Sequence, residues 1–289
     1  MNFKNAAELL ELCDRQAIRI SEVMRRREED LTETPEHQIR CRMEQVLVIM
    51  KDSSHTPIKN PGRSMGGLIG GEAARLDAHN RAGKNICGPV LGRAVTYAMA
   101  VMEVNTSMGL IVAAPTAGSS GIVPGLLLAL QEEYDLTDDA VLDALFNAAA
   151  IGYLAMRNAT VAGAVGGCQA EVGVASAMAA SAAVELMGGT PVQCTYAAST
   201  AIMNLLGLVC DPVGGLVECP CQSRNAVGTA NALTCAELAL SGIVQIIPLD
   251  EMMATMYAVG RGLPRELRET ALGGCAVTPS ACKSCRMNG

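Results

Sequence analysis

The sequence predicts an all-α fold, one compact helical domain whose glycine-rich loops surround a buried site. Three observations carry this expectation. Half of the 289 residues are hydrophobic, yet the apolar mass is Ala, Val, Leu, Ile and Met, with no Trp and only two Phe. Ala, Leu and Met are strong helix formers. Alternating strand patterns are scarce, and apolar stretches of helical period end repeatedly in Gly- or Pro-containing breaks. A chain of this length can bury a large core as one domain or two. The one candidate boundary follows residue 50. Residues 1–50 are therefore read as N-terminal helices and residues 51–289 as the helical body, with one continuous domain over 1–289 the preferred division.

Residues 5–29 place Ala7, Leu9, Leu10, Ile18, Ile20 and Val23 on an amphipathic helical pattern. LTETPEHQ ends it, with Thr34 as a cap and Pro35 as the first residue of a second helix running to about residue 50. Residues 51–73 read as a loop from their Ser, Pro and Gly content. Helices are expected near residues 91–107, 123–133, 137–157, 171–187, 191–208, 226–240 and 250–260. Thr137 caps the third of these, with Asp138 and Asp139 favourable to its dipole. ELMGGTP stops one helix with Gly and opens the next with Pro.

A net charge of −7 argues against a nucleic-acid partner, whose phosphates need Lys and Arg. RRREED is balanced within itself and reads as a solvated helix face. Twelve cysteines in a long chain beginning MNFKNAAELLELCD, without a signal-peptide pattern, indicate a cytoplasmic protein with thiols reduced or engaged by metal. Residues 104–131 and 186–210 are uncharged runs long enough to span a bilayer. APTAGSSG interrupts the first, while Gly188, Gly189, Pro191, Gln193 and Asn204 interrupt the second, so neither is read as a membrane span.

Two glycine-rich breaks invite binding roles. GRSMGGLIGGEAARL has exposed amides ahead of a helix, as an anion site would, but lacks the GK[ST] ending of a phosphate loop. APTAGSSGIVPG is either a tight turn between buried helices or an amide-and-hydroxyl cradle for a small carboxylate, through Thr116, Gly118, Ser119 and Ser120.

Among the cysteines, packing is the default, and Cys13, Cys41, Cys87, Cys194 and Cys235 lie in helical or apolar patterns that keep it. Cys168 instead follows Gly166 and Gly167 at a helix start, where dipole and amides favour a thiolate. Cys210 ends an apolar helix before the turn DPVGG, and Cys219 and Cys221 flank Pro220. Three thiolates brought from loops and helix ends suit zinc or an iron–sulfur cluster. CPC is too tight for a zinc knuckle and no His lies nearby, so the cluster is preferred. Iron lacking a protein ligand would be open to substrate as a Lewis acid.

APTAGSSGIVPG, GGCQAEVGVASAMAA, LLGLVCDPVGGLVECPCQSRNA and RETALGGCAVTP together resemble the α chain of bacterial iron–sulfur-dependent L-serine dehydratases, over nearly the whole chain. The resemblance implies an all-helical catalytic domain with a [4Fe–4S] cluster on Cys168, Cys210 and Cys221. It also implies a β-elimination in which the open iron activates the hydroxyl of L-serine and a base removes the α-proton. The resulting aminoacrylate yields pyruvate and ammonia. Ser64, Gly66, Gly67, Thr116, Gly118, Ser119, Ser120 and Asn158 are the expected substrate-binding residues.

The chain departs from that pattern in two places. Cys219 is an additional thiol, expected to pack, and Cys275, Cys282 and Cys285 crowd the C-terminus, where a mobile thiol could supply a fourth ligand to the resting cluster. The α/β domain that the resemblance implies for single-chain relatives is expected to be absent here. SSHTP echoes its Ser–His–Thr segment at the wrong place, so His55 receives no role and the base is expected from a separate β subunit. A homodimer is a further expectation. The same scaffold would also serve L-cysteine or L-threonine, and a non-catalytic iron–sulfur sensor is the rival from another class.

Overall fold

The computed structural model describes the backbone of residues 1–287 and the side chains of residues 1–283. Its elements are α1 (Ala6–Gln16), α2 (Ile20–Thr32), α3 (Glu36–Lys59), α4 (Glu72–Arg81), α5 (Gly88–Thr106), α6 (Ile122–Glu133), α7 (Asp138–Asn158), α8 (Gly163–Gly166), α9 (Val174–Leu186), α10 (Pro191–Asn204), α11 (Cys221–Leu240), α12 (Leu249–Gly262) and α13 (Pro279–Met287). Among the described residues there is no strand; a single parallel bridge joins Cys210 to Arg268. The all-α expectation is met.

At the centre lies α9, where every residue from Val174 to Glu185 is buried. Its sequence, VASAMAASAAVEL, has no bulky aromatic, so α6, α7, α10 and α11 can approach it closely on several sides. The same logic governs α5 against α6: a Cβ on Gly125 would lie 2.8 Å from the Ala94 carbonyl. The hydrophobic core is continuous from Phe3 and Leu9 to Met253 and Met256, so the N-terminal helices share it with the helical body.

Element boundaries depart from expectation where side chains override composition. Residues 5–29 form two helices, because Ala17 turns left-handed at φ 53° and donates to Asp14 without a glycine to announce it. Pro35 is the cap of α3, one residue beyond the expected Thr34, and makes no side-chain capping bond. The supposed loop from residue 51 continues α3 to Lys59. Ser53 Oγ bonds back to the Ile49 carbonyl at 2.8 Å, His55 Nδ1 meets the Lys51 carbonyl at 2.7 Å, and Pro57 is buried in the last turn. The true loop is residues 60–71. Further on, α10 stops at Asn204, short of the expected 208, and α11 begins at Cys221, ahead of the expected 226.

Among the described residues one helix, α7, is long and apolar enough to cross a membrane, and 67% of its most apolar window is buried in the fold. Both uncharged runs noted in the sequence are divided into separate helices and turns.

Candidate active site

Three distant segments meet around Cys168, Cys210 and Cys221. Gly167, at φ 76°, lets the chain pass the 208–210 segment, since a Cβ there would stand 2.9 Å from the Leu208 carbonyl. Gln169 N donates to that carbonyl at 3.0 Å. Cys210 is held from its other edge by Leu267 O, at 2.9 Å from its amide, and by Glu269 N, at 2.7 Å from its carbonyl. Contrary to expectation Cys210 does not end a helix; it lies in this extended bridge. Cys221 is the first residue of α11, and Arg224, one turn on, donates to the Val209 carbonyl at 2.8 Å, pairs with Asp211 at 2.8 Å and acts electrostatically on Cys168. Buried Asn225 joins Cys221 to the 118–121 turn, donating to the Cys221 and Gly118 carbonyls at 2.9 and 2.8 Å and accepting from Gly121 N at 3.0 Å.

All three thiols are buried. Burial pushes Cys168 and Cys221 up to about 12, with Arg224 opposing, and raises Cys210 as well. A thiolate at Cys210 or Cys221 feels Cys168 and Glu171 as like charges. Cys168 does stand at a helix start, as the N-cap of the π-helical turn Gln169–Gly173 that runs into α9, but burial outweighs the dipole and opposes the thiolate expected there. A donor set of three buried sulfurs that repel one another as thiolates needs cationic charge to ionise, which a bound metal centre would supply. Among the described residues no three Cys, His, Asp or Glu side chains close on a single ion.

Glu171 is the residue that sequence reasoning missed, although it sits in the quoted GGCQAEVG. Its Oε1 accepts from Thr116 Oγ1 at 2.8 Å, and its Oε2 lies 3.9 Å from Cys210 Sγ. A Cβ on Gly163 would come within 2.6 Å of Oε2, and one on Gly118 within 3.2 Å of Oε1, so both glycines leave room for this carboxylate. Burial raises its pKa, against the Thr116 hydrogen bond. The structure thus brings Thr116 and Gly118 to the cysteine site through Glu171. Ser119 and Ser120 are fully buried and bond within their own turn, Ser119 to Thr116 Oγ1 at 3.1 Å and Ser120 to the Ala117 carbonyl at 2.8 Å. Asn158 is exposed and donates to the Lys4 carbonyl at 2.8 Å, anchoring the N-terminus.

The Ser64 loop is an anion cradle, but its occupant is internal. Ser64 Oγ and Gly66 N each donate to the Glu218 carboxylate at 2.6 Å, and Leu68 N at 2.9 Å. Gly67 turns the loop at φ 69°. At the loop's far end Ala73 N donates to Glu103 at 2.9 Å, so the amides that resembled a phosphate loop serve two buried carboxylates.

At the C-terminus, Cys275 N donates to Asp211 at 2.6 Å, docking the 274–277 turn beside Cys210 and Arg224. The Cys275 thiol is exposed, and Asp211 raises its pKa. Cys282 is also exposed. The side chain of Cys285 lies outside the described residues. Cys219 is exposed and does not pack, and the same holds for Cys41 and Cys87; of the cysteines expected to pack, Cys13, Cys194 and Cys235 are buried.

The family model described as "Serine dehydratase alpha chain" matches residues 15–276. The chain is 46% identical over 278 residues to "Probable L-serine dehydratase, alpha chain" of Bacillus subtilis, covering 96% of this chain and 92% of that one. It is 43% identical over 271 residues to "L-serine dehydratase, alpha chain" of Peptoniphilus asaccharolyticus, covering 94% and 93%. "L-serine dehydratase" of Helicobacter pylori shares 38% identity over 286 residues, which span 96% of this chain but 62% of that longer one.

Proposed function

Because the chain belongs to the serine dehydratase alpha-chain family, we propose that it is the alpha subunit of a cytoplasmic lyase that converts L-serine to pyruvate and ammonia. Cys168, Cys210 and Cys221 hold a [4Fe–4S] cluster. The observation that carries this reading is the meeting of three buried thiols beside one part-buried guanidinium. When bound, the cluster supplies a Lewis acid for the substrate hydroxyl.

The chain's own residues do the rest of the work on this side of the site. Glu171, fixed through Oε1 by Thr116, holds a proton at Oε2 for the departing hydroxyl beside Cys210. Gly118 and Gly163 give that carboxylate its space. The base for the α-proton comes from a separate beta subunit, as the alpha-chain names of the relatives suggest. The exposed C-terminal thiols are available as resting-state ligands.

The test is direct. The chain is loaded anaerobically with iron and sulfide and assayed for pyruvate formation from L-serine, L-threonine and L-cysteine, alone and with a beta subunit. Deamination of L-serine that requires the partner, and that air abolishes as the colour bleaches, is expected. Full activity without a partner would remove the beta-subunit base, and a loaded complex indifferent to L-serine would sink the dehydratase reading.

A further inference from the structure

We infer that Glu218 is a positioning residue that couples the Ser64 loop to the Cys221 corner of the site. The inference rests on the reading of Cys221 as a cluster ligand, and it concerns a carboxylate to which the reaction gives no role. Glu218 is 2% exposed. Among the described residues no Lys or Arg forms an ion pair with it; the Ser64 hydroxyl and the Gly66 and Leu68 amides meet its charge at 2.6, 2.6 and 2.9 Å. Such a concavity of two loop amides and a hydroxyl is an electrostatic site for an anion. Ser64 is itself pinned across the loop, its amide donating to the Ile69 carbonyl at 3.1 Å and its Oγ accepting from Ile69 N at 3.3 Å.

The other end of the strut is the cysteine turn. The Glu218 carbonyl accepts from Gln222 N at 3.0 Å and the Cys219 carbonyl from Val213 N at 2.8 Å, so the backbone entering Cys221 is fixed on both sides. A second link runs in parallel. Gln222 Nε2 reaches Glu103 at 3.4 Å, and Glu103 takes Ala73 N at 2.9 Å just past the far end of the same loop. Two buried carboxylates therefore clasp the middle of the loop and the first turn of α4 that follows it onto residues flanking Cys221. The close approach explains Gly66, where a Cβ would run into Leu216 and the Glu218 carboxylate.

Glu218→Gln retains the shape but has one acceptor oxygen, so its NH₂ is set against a loop donor that loses its partner. Partners that orient metal ligands are worth roughly 10–100-fold in affinity or activity. Two readouts test the coupling in the full chain. In the cluster-loaded protein, a chelator should strip iron about tenfold faster from Glu218→Gln than from wild type. In the reduced, cluster-free protein, iodoacetamide labelling read per cysteine by mass spectrometry should be about tenfold faster at Cys221 in Glu218→Gln, because a loop donor left without its partner eases local opening. It should also rise there in Ser64→Ala, while buried Cys194 and Cys235 keep their wild-type rates. Unchanged labelling of Cys221 in either variant would overturn the coupling. A parallel rise at all three cysteines would overturn it too, because it would mark a loosened fold. Wild-type protein that takes up no iron or sulfide defeats the cluster reading instead, and the labelling comparison then decides the coupling by itself.

Discussion

Arg224 and Asp211 form a buried ion pair at 2.8 Å, with side chains 15% and 3% exposed, at the junction of all three cysteine segments. Arg224 rides on the first turn of α11 behind Cys221, Asp211 follows Cys210, and the positive charge of the guanidinium also acts on Cys168. The second Asp211 oxygen holds Cys275 N at 2.6 Å, so the same pair fastens the C-terminal turn. Removing one partner strands a buried charge, which costs about 3–5 kcal/mol. Arg224→Ala is expected to lose stability of that order in urea unfolding of the cluster-free chain. A loss below about 1 kcal/mol, the range of an exposed pair, would show that the pair does not hold the segments together.

Two glycines of α12 separate packing from propensity. A Cβ on Gly260 would lie 2.6 Å from Gly166 Cα and 2.8 Å from the Gly166 carbonyl, whereas one on Gly262 meets nothing within 4 Å. Alanine gains up to about 1 kcal/mol over glycine in a helix, but forced overpacking costs about 1–3 kcal/mol. Gly260→Ala should therefore destabilise and Gly262→Ala should be neutral or stabilising, by thermal or urea unfolding. Equal effects would contradict the close crossing of α12 over α8.

His55 explains itself without chemistry on substrate. It bonds Glu132 at 3.0 Å and lies against Tyr97, whose hydroxyl donates to the same Glu132 at 2.6 Å, tying α3 to α5 and α6. The Glu132 hydrogen bond raises His55 above 6.5, against burial and Lys59. Burial would raise Glu132, yet bonds from His55 and Tyr97, with Arg93, hold it below 4.5. Stability from a raised His is complete below its unfolded value and is lost as pH climbs through the folded one. Stability from a depressed Glu is present above its unfolded value and is lost as pH falls through the folded one. The wild-type advantage over His55→Gln, measured by urea unfolding, should peak between about pH 4.5 and 6.5 and shrink towards pH 9. A pH-independent difference would contradict the charged pair.

Glu171 and Thr116 should separate by severity. Glu171→Gln removes the proton carrier and should lower kcat by roughly 10²–10⁴-fold with the cluster retained. Thr116→Val removes only the 2.8 Å hydrogen bond that orients it and should cost less, about tenfold. Wild-type kcat in Glu171→Gln would exclude the role.

Legibility in the sequence follows the range of the forces involved. The expected helices at 123–133 and 137–157 fall within a residue of α6 and α7, because local signals such as the Thr137 cap set their ends. The break at Ala17 escaped notice because alanine seldom turns left-handed, and the continuation of α3 through Pro57 depends on side chains folding back on their own helix. In the site, the small and hydroxylated residues marked the loops at Ser64 and Thr116, but not what those loops hold. Glu218 and Ser64 are 154 positions apart, and Glu171 and Thr116 are 55 apart. A charged residue's burial is decided by such distant donors, and no local pattern of the sequence encodes them.

The whole assignment turns on Cys168, Cys210 and Cys221 sharing one cluster. Iron and acid-labile sulfide per chain, measured in anaerobically purified protein, test it most directly. About four of each are expected in wild type and in Cys194→Ala, whose sulfur packs in the core. Neither should remain in Cys168→Ala. Iron and sulfide surviving in Cys168→Ala, or lost as fully from Cys194→Ala, would contradict the assignment.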